Sequence, residues 1–308
     1  MKIVYLGTPD FAVLPLKKIF DAGYEILGVV TQPDKAVGRK QILTPSPVKE
    51  TALELGLKVY QYDKIRDEGV EDLKNLKPDL MVTCAYGQIL SQEILDIPTL
   101  GTINIHASLL PKLRGSSPIQ WSIINGDKTT GVTIMMTELG IDTGDIILKK
   151  ELSIGDDETA GELFDRLSVL GADAIIDALE LFNSGNVIKT PQNHNDATFT
   201  KMLKKDSGKI DFNKSAKEVH NLVRGLNPWP IAFTNINGEV IKIYKTRVLD
   251  GSDTAGKIIK CDEKNGLIIA CKDGLIEVLE LQRAGGKRLN SKDFLRGFKI
   301  SEGTLIND

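Results

Sequence analysis

The sequence predicts an α/β fold: a Rossmann-like, doubly wound, mostly parallel sheet, followed by a small all-β barrel domain of OB type. Three observations predict it. Strand-like apolar runs alternate with helical periods through roughly the first 180 residues, the pattern of parallel strands joined by crossover helices. Short alternating runs punctuated by hairpin turn signals then take over to the end of the chain. A length of 308 residues suits two domains of ordinary size.

The elements follow in order. Lys2–Gly7 is a strand opening a βαβ pattern, residues 11–22 are apolar at helical spacing, and 26–31 return to strand. Residues 32–47 are polar, carry three prolines and show little periodicity, so a loop is expected. Residues 48–55 read as a helix. Residues 80–85 form a continuous apolar run, as in a strand buried on both faces. Residues 101–106 read as a strand, 118–125 as a helix, 131–137 and 145–152 as strands, and 158–182 as a long helix. An N-terminal domain is expected over 1–189 and a C-terminal domain over 207–308. A linker is expected over 190–206, where Pro191-Gln192-Asn193-His194-Asn195-Asp196 is polar and weakly patterned. In the last part a helix at 215–226 precedes Asn227-Pro228-Trp229-Pro230. Short strands follow at 232–236, 240–247, 257–260, 267–271 and 275–281, with turn signals at Asn237-Gly238 and Asp273-Gly274.

Composition bounds the function. The chain is 41% hydrophobic and 26% charged, typical of a soluble globular protein, and no stretch resembles a membrane span or signal peptide. Cys84, Cys261 and Cys271 are scattered and the chain has three histidines, so neither a disulfide framework nor a metal site is expected, and a reducing cytoplasm fits. Charge is uneven: residues 1–190 carry 19 Lys and Arg against 27 Asp and Glu, while 191–308 carry 20 against 15. The basic final third could meet a polyanion such as a nucleic acid.

Thr102-Ile103-Asn104-Ile105-His106 alternates strictly, so Asn104 and His106 share one strand face and Ile103 and Ile105 the other. Two polar side chains in a buried strand need partners, and this strand ends where an open α/β sheet has its ligand crevice. Gly140-Ile141-Asp142-Thr143-Gly144-Asp145 reads as a hairpin-like loop whose carboxylates could also reach that crevice. Gly7-Thr8-Pro9-Asp10 stands where a dinucleotide-binding protein has its glycine fingerprint. That fingerprint is absent, and a tight turn with Asp10 capping the next helix is expected instead. Ser117 and Pro118 read as N-cap and first residue of a helix. A covalent nucleophile is not expected: Gly-x-Ser-x-Gly is absent, and Cys84 sits in an apolar strand.

Asn104-x-His106, the following Ser108-Leu109-Leu110-Pro111, and Asp142 in Asp-Thr-Gly-Asp together resemble the 10-formyltetrahydrofolate-dependent formyltransferases. Further stretches narrow the likeness to the tRNA-acting branch. They include Gly7-Thr8-Pro9-Asp10-Phe11-Ala12, Thr31-Gln32-Pro33-Asp34, Pro45-Ser46-Pro47-Val48-Lys49, Ala85-Tyr86-Gly87-Gln88-Ile89-Leu90 and Pro228-Trp229-Pro230. Phe212 stands where that branch often has Trp. The resemblance implies transfer of a formyl group from 10-formyltetrahydrofolate to the α-amine of initiator methionyl-tRNA; a cytoplasmic monomer without a metal is expected. It implies that Asn104, His106 and Asp142 are catalytic, and that Ser108, Leu109, Leu110, Pro111, Gln88, Ile89 and Leu90 contact the folate. It also implies that Arg39, Lys40 and Lys35, in a basic insertion at 32–47, approach the tRNA acceptor end, with the C-terminal domain helping to hold the tRNA.

Chemistry agrees with that implication. An α-amine has a pKa near ~8, so a useful fraction is neutral at pH 7. Its attack on an N-formyl group produces an oxyanion that needs hydrogen-bond donors, here Asn104 and His106, with Asp142 orienting the histidine and handling protons. A formyltransferase acting on a sugar-nucleotide amine would share the same three residues; the basic insertion and basic C-terminal domain favour tRNA. A nucleic-acid-binding protein with an inert α/β domain is a third reading, and a nicotinamide dehydrogenase, lacking the fingerprint, a fourth.

Overall fold

The computed structural model describes residues 1–38 and 40–306. The chain divides into two units. Unit 1 comprises Met1–Gly115, Thr130–Leu152 and Phe164–Thr200; unit 2 comprises Ser116–Thr129, Ser153–Leu163 and the chain from Lys201 onward.

Unit 1 is built on a seven-stranded sheet. Its strands are β1 (Lys2–Gly7), β2 (Glu25–Thr31), β5 (Val59–Gln61), β6 (Leu80–Cys84), β7 (Thr102–His106), β9 (Thr129–Met136) and β10 (Ile146–Ser153), in the order β10-β9-β7-β6-β1-β2-β5. Four short strands of this unit lie outside that sheet: β3 (Lys35–Val37), β4 (Ile42–Thr44), β8 (Arg114–Gly115) and β11 (Phe199–Thr200). β1 pairs in parallel with β2 and β6, β2 with β5, and β6 with β7; β9 runs antiparallel to β7. The apolar runs that predict these strands are buried: Ile3 to Leu6 and Leu80 to Val82 are all 0% exposed. Helices cover both faces. Val4, Leu6 and Met81 pack with Ile65, Leu73 and Ile94 from the short helices on one side. On the other side the long helix comes so near that a Cβ on Gly171 would sit 3.2 Å from Ile105 Cγ2, and Phe11 meets Phe164 edge-on at 5.4 Å.

Local details depart from expectation in two places. Asp10 does not cap the first helix: a 3₁₀ turn, Asp10–Ala12, leads into Val13–Asp21 with no side-chain cap bond. The expected loop at 32–47 holds a hairpin in which β3 and β4 pair antiparallel, strands of three residues each being too short for a period to show. Its base is clamped. Ser46 caps helix Pro47–Glu54 and meets the Thr31 hydroxyl at 2.6 Å, while Lys49 Nζ reaches Asp34 Oδ1 and Gln61 Oε1, both at 2.8 Å.

Unit 2 carries the antiparallel all-β sheet that the alternating runs predict. Its strands are β12 (Ala232–Ile236), β13 (Glu239–Leu249), β14 (Ile258–Asp262), β15 (Gly266–Ala270), β16 (Leu275–Arg283) and β17 (Leu289–Asn290). The sheet order is β12-β13-β16-β15-β14, with β17 on β16. Asn237 and Gly238, at φ 53° and 77°, make the tight turn between β12 and β13 that Asn-Gly predicts. The core gathers Ile241, Ile243, Ile258, Leu267, Ile276 and Val278 beneath helix Ala216–Gly225 and Phe294. Ser215 caps that helix through a reciprocal box with Glu218.

His220 on this helix is 5% exposed. Its Nδ1 meets Thr246 Oγ1 at 3.0 Å and its Nε2 donates to the Asp156 carbonyl at 3.3 Å. Burial pushes its pKa below the ordinary 6.5 despite Asp157 nearby. Below pH 6.5 the unfolded chain therefore binds a proton that the folded chain does not, so stability falls as pH falls through that window. The parent protein is expected to lose more melting temperature between pH 7 and 5 than His220→Gln does; equal slopes in thermal melts followed by circular dichroism would remove this role.

Candidate active site

The site forms where the carboxyl ends of the parallel strands converge. Thr8, just past β1, donates from Oγ1 to the Tyr86 carbonyl at 2.9 Å, and Gln32, just past β2, donates to the same oxygen at 3.2 Å. Three strand ends are thereby tied together at the edge that an open α/β sheet uses for ligands. Cys84 lies beneath, and burial pushes its thiol up to about 12, so it offers no nucleophile.

Asn104 and His106 face the same side of β7, as the alternation predicts. Thr83 is the register partner of Asn104 on β6, and its hydroxyl donates to Asn104 Oδ1 at 2.8 Å. With Oδ1 turned to Thr83, Nδ2, a donor, is the end left for a ligand. His106 is 6% exposed, and its Nε2 lies 3.0 Å from the Leu113 carbonyl. A carbonyl only accepts, so Nε2 carries the proton and the ring's other nitrogen faces the site. Nδ1 is 3.7 Å from Asp142 Oδ1, an ion-pair distance when the ring is charged.

Asp142 sits on the loop between β9 and β10 at φ 51°, a left-handed conformation that Asp tolerates better than most residues. Its Oδ2 accepts from the Gly115 amide at 2.8 Å. The loop is tightly seated: a Cβ on Gly144 would fall 1.9 Å from the Met136 carbonyl, so only glycine fits there. Of the two carboxylates in the loop, Asp142 is the one that faces His106, while Asp145 contributes its carbonyl to the Met136 amide at 2.8 Å.

The segment after β7 is largely structural in its polar contacts. Ser108 is fully buried and donates to the Lys112 carbonyl at 2.7 Å, and Thr133 ties the Ser108 carbonyl and the Leu110 amide to β9. Leu110 is buried, Leu109 and Pro111 are half-buried, and the Leu110–Pro111 peptide is cis. Gln88 spends both ends of its amide internally, on the Ile65 amide and the Tyr62 carbonyl. Leu90 is buried, whereas Ile89 stands 76% exposed beside the strand end. Ser117 takes the N-cap position at φ 60°, but without the side-chain bond expected of it. Lys35 and Lys40 are exposed on the β3–β4 hairpin, with Val37, Ile42 and Leu43 exposed beside them; Arg39 lies outside the described residues.

Sequence reasoning misses three partners. Thr83 reads only as part of an apolar strand; register with Asn104 is the signal that could find it. Arg114, 2% exposed, reads as a loop residue. Its guanidinium donates to Gln192 Oε1, with Nη2 at 2.7 Å, and meets His194 Nδ1 at 3.2 Å. Gln192 lies in the stretch expected to be a linker, yet it is buried and its Nε2 reaches the Asp142 and Gly144 carbonyls at 2.9 and 2.7 Å. Further along, Phe199 and Thr200 of β11 pair with Arg114 and Gly115 of β8. Among the described residues no group of three His, Cys, Asp or Glu side chains is placed to hold a metal ion, and no helix is long and apolar enough to cross a membrane.

Comparison with known proteins gives the class. A family profile described as formyl transferase matches residues 1–179, and one described as formyl transferase, C-terminal domain, matches 202–299. Solved structures agree at the level of fold. An N-formyltransferase from Helicobacter canadensis, in complex with folinic acid and dTDP-3-aminofucose, matches with TM-score 0.70 at 21% identity, over 90% of this chain and 99% of that one. Proteins curated as methionyl-tRNA formyltransferase are much nearer in sequence. That of Ruminiclostridium cellulolyticum is 47% identical over 99% of both chains, and that of Clostridioides difficile is 48% identical over 99% of this chain and all of the other. The chain belongs to the methionyl-tRNA formyltransferase family.

Proposed function

We propose that this enzyme transfers the formyl group of 10-formyltetrahydrofolate to the α-amine of initiator methionyl-tRNA. The observation that carries the reading is the Asp142 carboxylate 3.7 Å from His106 Nδ1, with Asn104 two residues before His106 on the same strand, in a formyl transferase fold. Relatives near 47% identity over almost the whole chain support tRNA as the acceptor, and solved relatives under 25% identical bear on the fold alone.

The neutral amine attacks the formyl carbon, and the carbonyl π electrons move onto oxygen. Asn104 Nδ2 donates to that oxyanion. Because Nε2 of His106 is committed to Leu113, the ring supplies its second donor from Nδ1 only when protonated, with the Asp142 carboxylate as counter-charge. Collapse restores the carbonyl, breaks the bond to the folate nitrogen and sends the amine's proton, through water and Asp142, toward that leaving nitrogen. The exposed Ile89 side chain and the half-buried Leu109 and Pro111 offer apolar surface for the flat folate ring. The clamped hairpin carries Lys35 and Lys40 toward phosphate. Lys35→Ala with Lys40→Ala is expected to raise KM for the tRNA several-fold and to lower the salt slope of binding by about one per lysine. An unchanged salt slope in filter binding counts against that role.

The deciding assay supplies 10-formyltetrahydrofolate with methionyl initiator tRNA, uncharged tRNA, or an amino-sugar nucleotide. Formylmethionyl-tRNA is the expected product; product with the sugar alone overturns the reading. A monomer in the cytoplasm is part of the proposal, checked by light scattering and by fractionation.

A further inference from the structure

Asp142 is aimed from a backbone conformation that needs holding. At φ 51° its carbonyl and that of Gly144 both turn toward one side chain, the buried Gln192 amide. The other end of that amide accepts from Arg114 Nε at 3.1 Å and Nη2 at 2.7 Å. The residue after Arg114 is Gly115, whose amide donates to the Asp142 carboxylate itself. Two arms therefore run from the Arg114–Gly115 strand to Asp142: one to the carboxylate, and one through the guanidinium and Gln192 to the main chain. An amide is suited to the middle of the second arm because it accepts at one end and donates two protons at the other. A carboxylate there would match the guanidinium but set oxygen against two carbonyl oxygens. A methionine would fill the space and leave buried groups on both sides unpaired.

We propose that Gln192 is a positioning residue for formyl transfer: it holds the Asp142 loop so that the carboxylate faces His106 Nδ1, and Arg114 dictates which end of the Gln192 amide donates. The reaction rests on the proposed function; the coupling of Gln192 to His106 rests on geometry alone.

The test uses the full-length protein with Gln192→Glu and, as a second variant, Gln192→Met. Steady-state kinetics are measured for each substrate, alone and in an Asp142→Asn background. In parallel, ¹⁵N-histidine spectra follow the ring of His106, assigned among the three histidines by His106→Gln. Expected for both variants is a kcat about tenfold to a hundredfold lower, with both KM values within about twofold. In the Asp142→Asn background the further loss is expected to shrink to about threefold or less. The His106 ring signals move in the direction that Asp142→Asn moves them. An unchanged kcat, a loss that multiplies fully onto Asp142→Asn, or unmoved His106 signals overturns the proposal. So does a lowered melting temperature with kcat intact at 20 °C. If the parent makes no formylmethionyl-tRNA, the functional reading fails on that result, while the spectra still decide whether Gln192 aims Asp142.

Discussion

Asn104→Ala lowers kcat for formyl transfer by about 10²–10³, or about 3–4 kcal/mol, the usual cost of one lost oxyanion donor. Both KM values stay near those of the parent, because the donor acts on charge that exists only in the transition state. The fold tolerates the change. Asn104 is half-buried, and the single hydroxyl proton of its partner Thr83 can turn to the Ile103 carbonyl, 3.1 Å away, so truncation leaves no orphaned hydroxyl. Asn104→Asp separates donation from shape. It keeps the oxygen that Thr83 meets and replaces the donor with a second oxygen, so it is expected to be at least as slow as Asn104→Ala. An Asn104→Asp protein with parental kcat in single-turnover assays sinks the oxyanion role.

The site is partly legible in the sequence, and the reason is local. Alternation in a strand places Asn104 and His106 on one face from five residues alone, and the β7 register confirms it. Asp142 needs more. Its loop can be read as a hairpin, but that one of its carboxylates reaches His106 depends on β9 lying antiparallel beside β7. The partners behind the trio are not legible. Thr83 is 21 residues from Asn104, and Gln192 is 50 from Asp142. No periodicity spans such gaps, and a polar stretch with weak pattern reads as linker whether it is solvated or, as at Gln192, buried against two carbonyls. The same limit hides the hairpin at 35–44, whose strands are three residues each.

Asp142→Asn is the second large effect, and the structure makes it a clean substitution. Asn accepts the left-handed backbone at φ 51° as readily as Asp, and one oxygen remains to accept from the Gly115 amide. What disappears is the negative charge 3.7 Å from His106 Nδ1 and, with it, the base proposed to carry the amine's proton. With Nε2 bound to the Leu113 carbonyl, a neutral His106 has no proton on Nδ1, the nitrogen that faces Asp142. Loss of the carboxylate removes the proposed base and the counter-charge beside the ring, and kcat is expected to fall by about 10²–10⁴. The two roles separate in a double-mutant cycle. His106→Asn and Asp142→Asn act through one unit, so combining them costs little more than the worse of the two. Asn104→Ala, which draws on Thr83 instead, should multiply onto either. If Asp142→Asn turns over at a rate near the parent's while its melting temperature is unchanged, neither the counter-charge nor the proton path runs through Asp142. If its loss multiplies fully with that of His106→Asn, the two residues do not act as a pair.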